Sequence, residues 1–320
     1  MYAQYTTHNN QEFAYICFMS KGQAWIKAMR LRTLPLSLSG IVAGSAIALY
    51  QGFWDNKIFY LALSTTILFQ ILSNLANDLG DSQKGTDNEN RVGPERAIQS
   101  GVISQKEMKV AIVINSILSL VSAGALIYFG AQNMPMNVVI MYVILAGLCV
   151  LAAITYTVGK KAYGYHGLGD LMVFIFFGFV SVLGVYSLYT KSFVYENILL
   201  ATSIGLLSTA VLNLNNMRDY RNDADSNKQT LVVKMGPNQA KLYHAILILF
   251  AISSLAAFIA LMNDPLYFIA LAPCLYLLYH LRLVMQTTEP TSFDPELKKI
   301  ALSTFAISVI LFIIVVSLQK

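Results

Sequence analysis

Nine long apolar stretches, near 34–53, 58–76, 110–130, 137–158, 168–189, 194–216, 243–262, 266–285 and 299–318, leave this chain of 320 residues few folds to choose from. Each is close to the roughly 20 residues that a helix needs to cross the hydrocarbon core of a bilayer. Backbone groups in lipid must be satisfied within the segment, so stretches of this length read as helices. Composition agrees: 56% of residues are hydrophobic and 12% are charged, against about 25% charged in a soluble domain. No separate soluble domain fits between the spans. The expectation is an all-α integral membrane protein, with one polytopic domain over 25–320 behind a variable polar segment, 1–24. That segment lacks the basic-then-apolar order of a cleavable signal. Pro35 suits the first turn of the first span, and Pro273 is expected to kink the eighth.

Nine spans put the termini on opposite sides. Of the 22 Lys and Arg residues, all but Lys57, Lys191 and Lys320 fall on the side of the N-terminus. Basic loops stay inside, so the N-terminus is expected in the cytoplasm and the C-terminus outside a cell (inner) membrane. The net charge of +5 therefore reflects topology and gives no reason to expect a nucleic-acid partner. Nor does anything in the sequence call for an obligate protein partner. Cys17, Cys149 and Cys274 are far apart, without metal-type spacing, and read as free thiols.

Two polar loops, 77–109 and 217–242, are long, while the connections on the other side are short. Each begins with acids at the end of a span: Asn74-Leu-Ala-Asn77-Asp78-Leu-Gly-Asp81, and Asn213-Leu-Asn-Asn216-Met-Arg-Asp219-Tyr-Arg-Asn-Asp223. Carboxylates beside a bilayer are expensive and point to function. On a helix Asn74, Asp78 and Asp81 would share a face, as would Asn215, Asp219 and Asp223. Crowded acidic oxygens need a cation, and oxygen ligands at this density suit Mg²⁺, which is usually held by a few carboxylates plus substrate phosphates. Bases follow each cluster: Lys84, Arg91 and Arg96 in the first loop, Lys228 and Lys234 in the second. That order fits a metal–diphosphate site. The Asn-Leu-x-Asn elements at 74–77 and 213–216 recur 139 residues apart. They suggest two related four-helix groups plus a ninth helix. At the end of the fourth span, Tyr156 and Lys160 are four apart and expected to face one cavity. Phe174, Phe176, Phe177 and Phe179 are expected to face lipid or neighbouring helices, with an isoprenoid channel as the other option.

These stretches resemble the UbiA superfamily of membrane-embedded prenyltransferases, marked by an Asn-Asp-x-x-Asp loop and a later Asp-x-x-x-Asp loop. The likeness is closest to the naphthoate branch. It is carried by Trp25-Ile with Arg30-x-x-Thr33-Leu-Pro-Leu36, by Asn74 to Asp81 with Lys84-Gly-x-Asp87, and by Arg91-x-Gly-Pro94. It continues through Tyr156-Thr-Val-Gly159, Tyr163-Gly-Tyr-x-Gly-Leu-Gly-Asp170, and Asn213 to Asp219 with Asn227-Lys-x-Thr-Leu-Val-Val233. The resemblance implies nine helices around a central cavity, with Mg²⁺ bridging both acidic loops to a prenyl diphosphate. By position, Asn77, Asp81, Asp219 and Asp223 match the family's metal–diphosphate residues, with Asp78 beside them, and Tyr156 and Lys160 match its Tyr-x-x-x-Lys element. The superfamily's third acid, four residues after Asp81, is replaced by Gly85, with Asp87 two further on.

The expected site thus has Asp78, Asp81, Asp219 and Asp223 as metal ligands and catalytic groups together with Tyr156 and Lys160. The diphosphate contacts expected are Asn74, Asn77, Lys84, Arg91, Arg96, Asn215, Asn216 and Lys228. The implied reaction moves a polyprenyl group from polyprenyl diphosphate, within membrane lipid, to 1,4-dihydroxy-2-naphthoate. CO₂ and diphosphate are lost, giving demethylmenaquinone. One alternative changes the aromatic acceptor to 4-hydroxybenzoate or homogentisate. A cation-coupled transporter fits worse, because the acids gather at one membrane face.

Overall fold

The computed structural model describes residues 20–89 and 91–319. Cys17, Lys320 and most of the variable N-terminal segment lie outside the described residues. Among those described, every regular element is helical, and nine helices are long and apolar enough to cross a membrane.

A capping box between Ser20 and Gln23 starts the short α1 (Lys21–Met29). The chain turns at Arg30, which adopts a left-handed φ of 48°, into α2 (Leu34–Tyr50), with Pro35 in its first turn. Then come α3 (Asn56–Gln83), α4 (Gln105–Gly130), α5 (Met136–Thr155), α6 (Gly169–Thr190) and α7 (Asn197–Arg218). The second polar loop carries α8 (Tyr220–Asp225) and α9 (Leu231–Met235). The last helices are α10 (Pro237–Ala260), α11 (Ala272–Gln286) and α12 (Asp294–Leu318).

Packing follows the two-group pattern. α3 lies along α4 as α7 lies along α10, and α2 meets α3 as α6 meets α7. α12 closes the bundle against α2 and α7. Leu200, Ile204, Leu207 and Leu214 are all fully buried, which makes α7 the central helix. By contrast Ile117, Val121, Ile144 and Leu151 on α4 and α5 are exposed apolar side chains. That face suits lipid, as expected for a multi-pass membrane protein.

Small residues set the tightest contacts. A Cβ on Gly44 of α2 would lie 2.4 Å from the Val182 carbonyl oxygen, and one on Gly178 of α6 would lie 2.5 Å from that of Ala201. With neither present, α6 is held closely between α2 and α7, as small residues allow in membrane bundles. Within α6, residues 174–184 form a π-helical stretch. Such wide turns are rare and concentrate at functional sites.

Three expectations need correction. The first polar loop begins after Gln83 rather than at 77, so Asn74, Asp78 and Asp81 sit on α3, as their spacing anticipates. Hydropathy stops at the first polar turn, whereas a helix continues while its charges find partners. On the second side the helix breaks at Asp219, with φ −93° and ψ 8°, so Asn215, Asp219 and Asp223 do not share one uninterrupted face. Finally, Pro273 does not kink an α-helix. The span opens as a 3₁₀ stretch, Pro265–Leu271, and Pro273 falls in the first turn of α11, where no N–H is needed.

Candidate active site

The acids gather where α3 and α7 end. Asp78, Asp81, Asp219 and Asp223 are all buried. Lys228 joins the two clusters, 3.8 Å from Asp81 and 3.5 Å from Asp223. Arg91 makes a second bridge, 3.2 Å from Asp87 of the first loop and 3.7 Å from Asp219. Asp78 pairs with Arg30 and lies 3.7 Å from Arg96. Asp219 is held by its neighbour Arg218 at 2.7 Å, and Arg218 also binds Asp294 at the start of α12.

Tyr165 ties the loops together. Its hydroxyl donates to Asp81 at 2.7 Å and lies 2.5 Å from the Thr86 hydroxyl. Asn222 of α8 donates to the Thr86 carbonyl at 2.8 Å. The Tyr165 carbonyl accepts from Gln229 N at 3.1 Å, and the Lys84 ammonium sits 3.7 Å from the Tyr165 ring centroid. Tyr165 thus holds the first acidic segment through its phenol and the second polar loop through its backbone carbonyl.

Electrostatics follow from this crowding. Burial first, then the neighbouring Asp81, pushes the Asp87 carboxyl up to about 6. Burial also pushes Asp223 up to about 6, with Asp219 and Asp81 adding to it against Lys228. Burial alone would lower Lys228, but Asp81 and Asp223 hold it above the ordinary lysine range. Arg96 falls to about 9 through burial and the nearby Arg30 and Arg91. Burial raises the Tyr156 phenol, which therefore keeps its proton.

Below the acids lies an apolar cavity of ≈ 330 Å³. Asn74, Asn77 and Tyr156 line one end, a turn from Asp78 and Asp81, and Ile127 and Leu188 line the far end. Along α3 the lining runs from Ala62 to Asn77, about 22 Å at the α-helical rise. Phe176 and Phe177 line it as well, while Phe174 and Phe179 pack edge-to-face on each other at 5.2 Å.

Not every expected residue joins the site. Lys160 is exposed and lines a separate polar cleft with Lys84, His166 and Lys234, away from Tyr156. The reason is local: α5 ends at Thr155 and Gly159 takes a φ of +94°, so helical i, i+4 registry fails. Asn74 donates to the Met29 carbonyl at 2.9 Å and to Thr33 at 3.3 Å, anchoring α3 to the start of α2. Asn215 accepts from Arg218 at 2.9 Å. Asn77 accepts from Thr157 at 3.3 Å at the cavity rim, and Asn216 is buried on α7. Sequence reasoning passed over Arg218, Tyr165 and Thr86. The tyrosines at 163 and 165, beside the polar end of the fourth span, were the available signal.

The fit for a divalent cation can be judged from the oxygens. Both carboxylate oxygens of Asp87 and Oδ2 of Asp223 are buried without a hydrogen bond, because the arginines near Asp87 are poorly aimed. No three His, Cys, Asp or Glu side chains among the described residues converge as a metal cage. The orphaned oxygens of Asp87 and Asp223 are of the hard type that a divalent cation such as Mg²⁺ takes.

Fold and site together define a membrane-embedded group-transfer enzyme with an anionic headgroup pocket over a lipid-chain cavity. Residues 37–315 match the model of the UbiA prenyltransferase family, and the chain belongs to that family. It is 43% identical over 284 residues to 1,4-dihydroxy-2-naphthoate octaprenyltransferase of Escherichia coli (strain K12), covering 88% of this chain and 91% of the relative. Identity to the enzyme of that name from Mycobacterium tuberculosis (strain ATCC 25618 / H37Rv) is 33% over 260 residues, covering 77% and 81%. Among solved structures, a UbiA homolog from Aeropyrum pernix K1 matches with a TM-score of 0.65 at 15% identity, over 91% of this chain and 99% of that one. A UbiA homolog from Archaeoglobus fulgidus bound to DMAPP and Mg²⁺ matches at 0.61 and 14%, over 89% and 99%. The fold is therefore that of the family.

Proposed function

We propose that this prenyltransferase moves a polyprenyl group from polyprenyl diphosphate to 1,4-dihydroxy-2-naphthoate. The observation that carries the reading is the meeting of two acidic segments, through Lys228 and Arg91, at the polar end of an apolar cavity. The naphthoate acceptor rests on the named relatives and on the motifs around Tyr163 to Asp170. The excess of Lys and Arg on this side supports a cytoplasmic location for this end of the bundle in an inner membrane.

Asp81, Asp87 and Asp223 have the oxygens to hold Mg²⁺, with Asp78 and Asp219 completing the acidic set. When bound, the ion supplies neutralisation of the departing diphosphate. Lys228, Arg91 and Arg96 add positive charge around the same headgroup. Tyr156, protonated and at the cavity rim, can donate to the oxygen that leaves the allylic carbon. The cavity holds the tail and keeps water from the electron-deficient carbon. As the C–O bond breaks, its electron pair leaves with diphosphate. The ring carbon bearing the carboxylate then forms the new C–C bond. Loss of CO₂ returns its bonding pair to the ring, giving the reduced ring of demethylmenaquinone.

Product mass spectrometry tests the assignment. Purified protein is given polyprenyl diphosphate with 1,4-dihydroxy-2-naphthoate, 4-hydroxybenzoate or homogentisate. A decarboxylated prenyl-naphthalenediol is expected from the first alone. Preferential prenylation of 4-hydroxybenzoate or homogentisate would move the protein to another branch.

A further inference from the structure

Behind the site, on the side of α7 away from the cavity, four helices share a buried polar chain that the proposed reaction does not use. His244 of α10 and His280 of α11 are both fully buried. Their Nε2 atoms lie 3.0 Å apart. His244 Nδ1 is 3.2 Å from the side-chain oxygen of Asn213 on α7, and His280 Nδ1 contacts Glu296 of α12. Lys299 closes the chain at 2.6 Å from the other Glu296 oxygen, and is 41% exposed at the bundle surface. Asn213 Nδ2 is buried without a hydrogen bond, so the His244 contact is this side chain's hold on its surroundings.

Three contacts link Asn213, two imidazoles and Glu296, and each needs one proton. Two neutral imidazoles supply two, and the Asn213 amide, turned so that its N–H₂ faces His244 Nδ1, supplies the third. His244 then donates to His280, and His280 to the Glu296 carboxylate. Such groups are costly inside a membrane domain unless they do something.

What they hold is α7. Asn213 precedes Asn216 by three residues on α7, and Asp219 is the residue that caps the helix, so a rotation that broke the His244 contact would swing Asn216 and shift Asp219 with the helix end. α12 grips the same helix twice, through Glu296 and this chain and through Asp294 on Arg218. The first half of the molecule has the matching device. Asn74, the repeat partner of Asn213, anchors α3 to Met29 and Thr33, three residues before Asn77.

We propose that Asn213, His244, His280 and Glu296 are positioning residues: a polar strut that fixes the rotation of α7 and so aims Asn216 and Asp219 at the diphosphate–cation site. This rests on the proposed function of that site. The test uses full-length protein in detergent or vesicles, with the half-saturating Mg²⁺ read from its protection against thermal unfolding, without turnover, and the KM for polyprenyl diphosphate, measured for His244→Leu, Glu296→Leu and Glu296→Gln. Both Leu variants should raise both quantities on the order of 10-fold, as loss of an outer-shell support does. Glu296→Gln keeps an acceptor for His280 and should stay near the unsubstituted protein. Folded Leu variants with unchanged Mg²⁺ dependence and KM would overturn the strut. If His244→Leu does not accumulate folded, His244→Ala, which likewise removes both polar contacts, carries the same test, and an unchanged half-saturating Mg²⁺ overturns it equally. Absence of any Mg²⁺-dependent turnover in the unsubstituted protein would instead reject the functional reading.

Discussion

Lys228 sits between Asp81 and Asp223 as a buried ammonium with two carboxylate partners. Removing it by Lys228→Met leaves both acids uncompensated, which costs about 3 kcal/mol where a buried pair is broken. The variant's melting temperature in detergent should therefore fall without Mg²⁺ and recover in part when Mg²⁺ is added, because a cation can replace the lost charge. No recovery would place the cation elsewhere. Asp81→Ala and Asp219→Ala should each lower turnover by roughly 100-fold or more, with the helical content kept. At this scale much of the site was legible: acids and bases in order mark an anion-and-metal pocket. The roles of Asn74 and Lys160 were not. A side chain's direction past the end of a helix depends on local turns such as that at Gly159, which spacing cannot supply.

Helix contacts decide how the elements stand against each other. Gly44 meets backbone of α6, whereas a Cβ on Gly124 of α4 would have nothing within 4 Å. Gly44→Leu should therefore destabilise the bundle by roughly 1–3 kcal/mol, the range for overpacking, or more because the obstacle is backbone. Gly124→Ala should be neutral or gain about 1 kcal/mol from helix propensity. Folded yield after detergent extraction and thermal denaturation would check the contrast; equal behaviour would mean α2 and α6 are not in such close contact. All nine spans could be read from hydropathy, since the membrane demands apolar length. The π stretch of α6 could not, because it reflects how residues 174–184 pack between two helices. Nor could the His244–His280 pair, which joins helices through residues 36 positions apart.

Across the whole molecule the cavity is a channel running from Asn77 and Tyr156 to Ile127 and Leu188. Its far end should limit the prenyl chain. Leu188→Trp should shorten the longest diphosphate accepted while sparing short ones, as a ladder of chain lengths would reveal; uniform loss across the ladder would point to misfolding instead. The two halves of the molecule are expected to act on one substrate through a shared cation. The most direct measurement is diphosphate release from polyprenyl diphosphate and the naphthoate, with and without Mg²⁺, in the unsubstituted protein, Asp81→Ala and Asp219→Ala. Release should require Mg²⁺ and be lost in either variant. Release without Mg²⁺, or near-normal rates in either variant, would contradict the account.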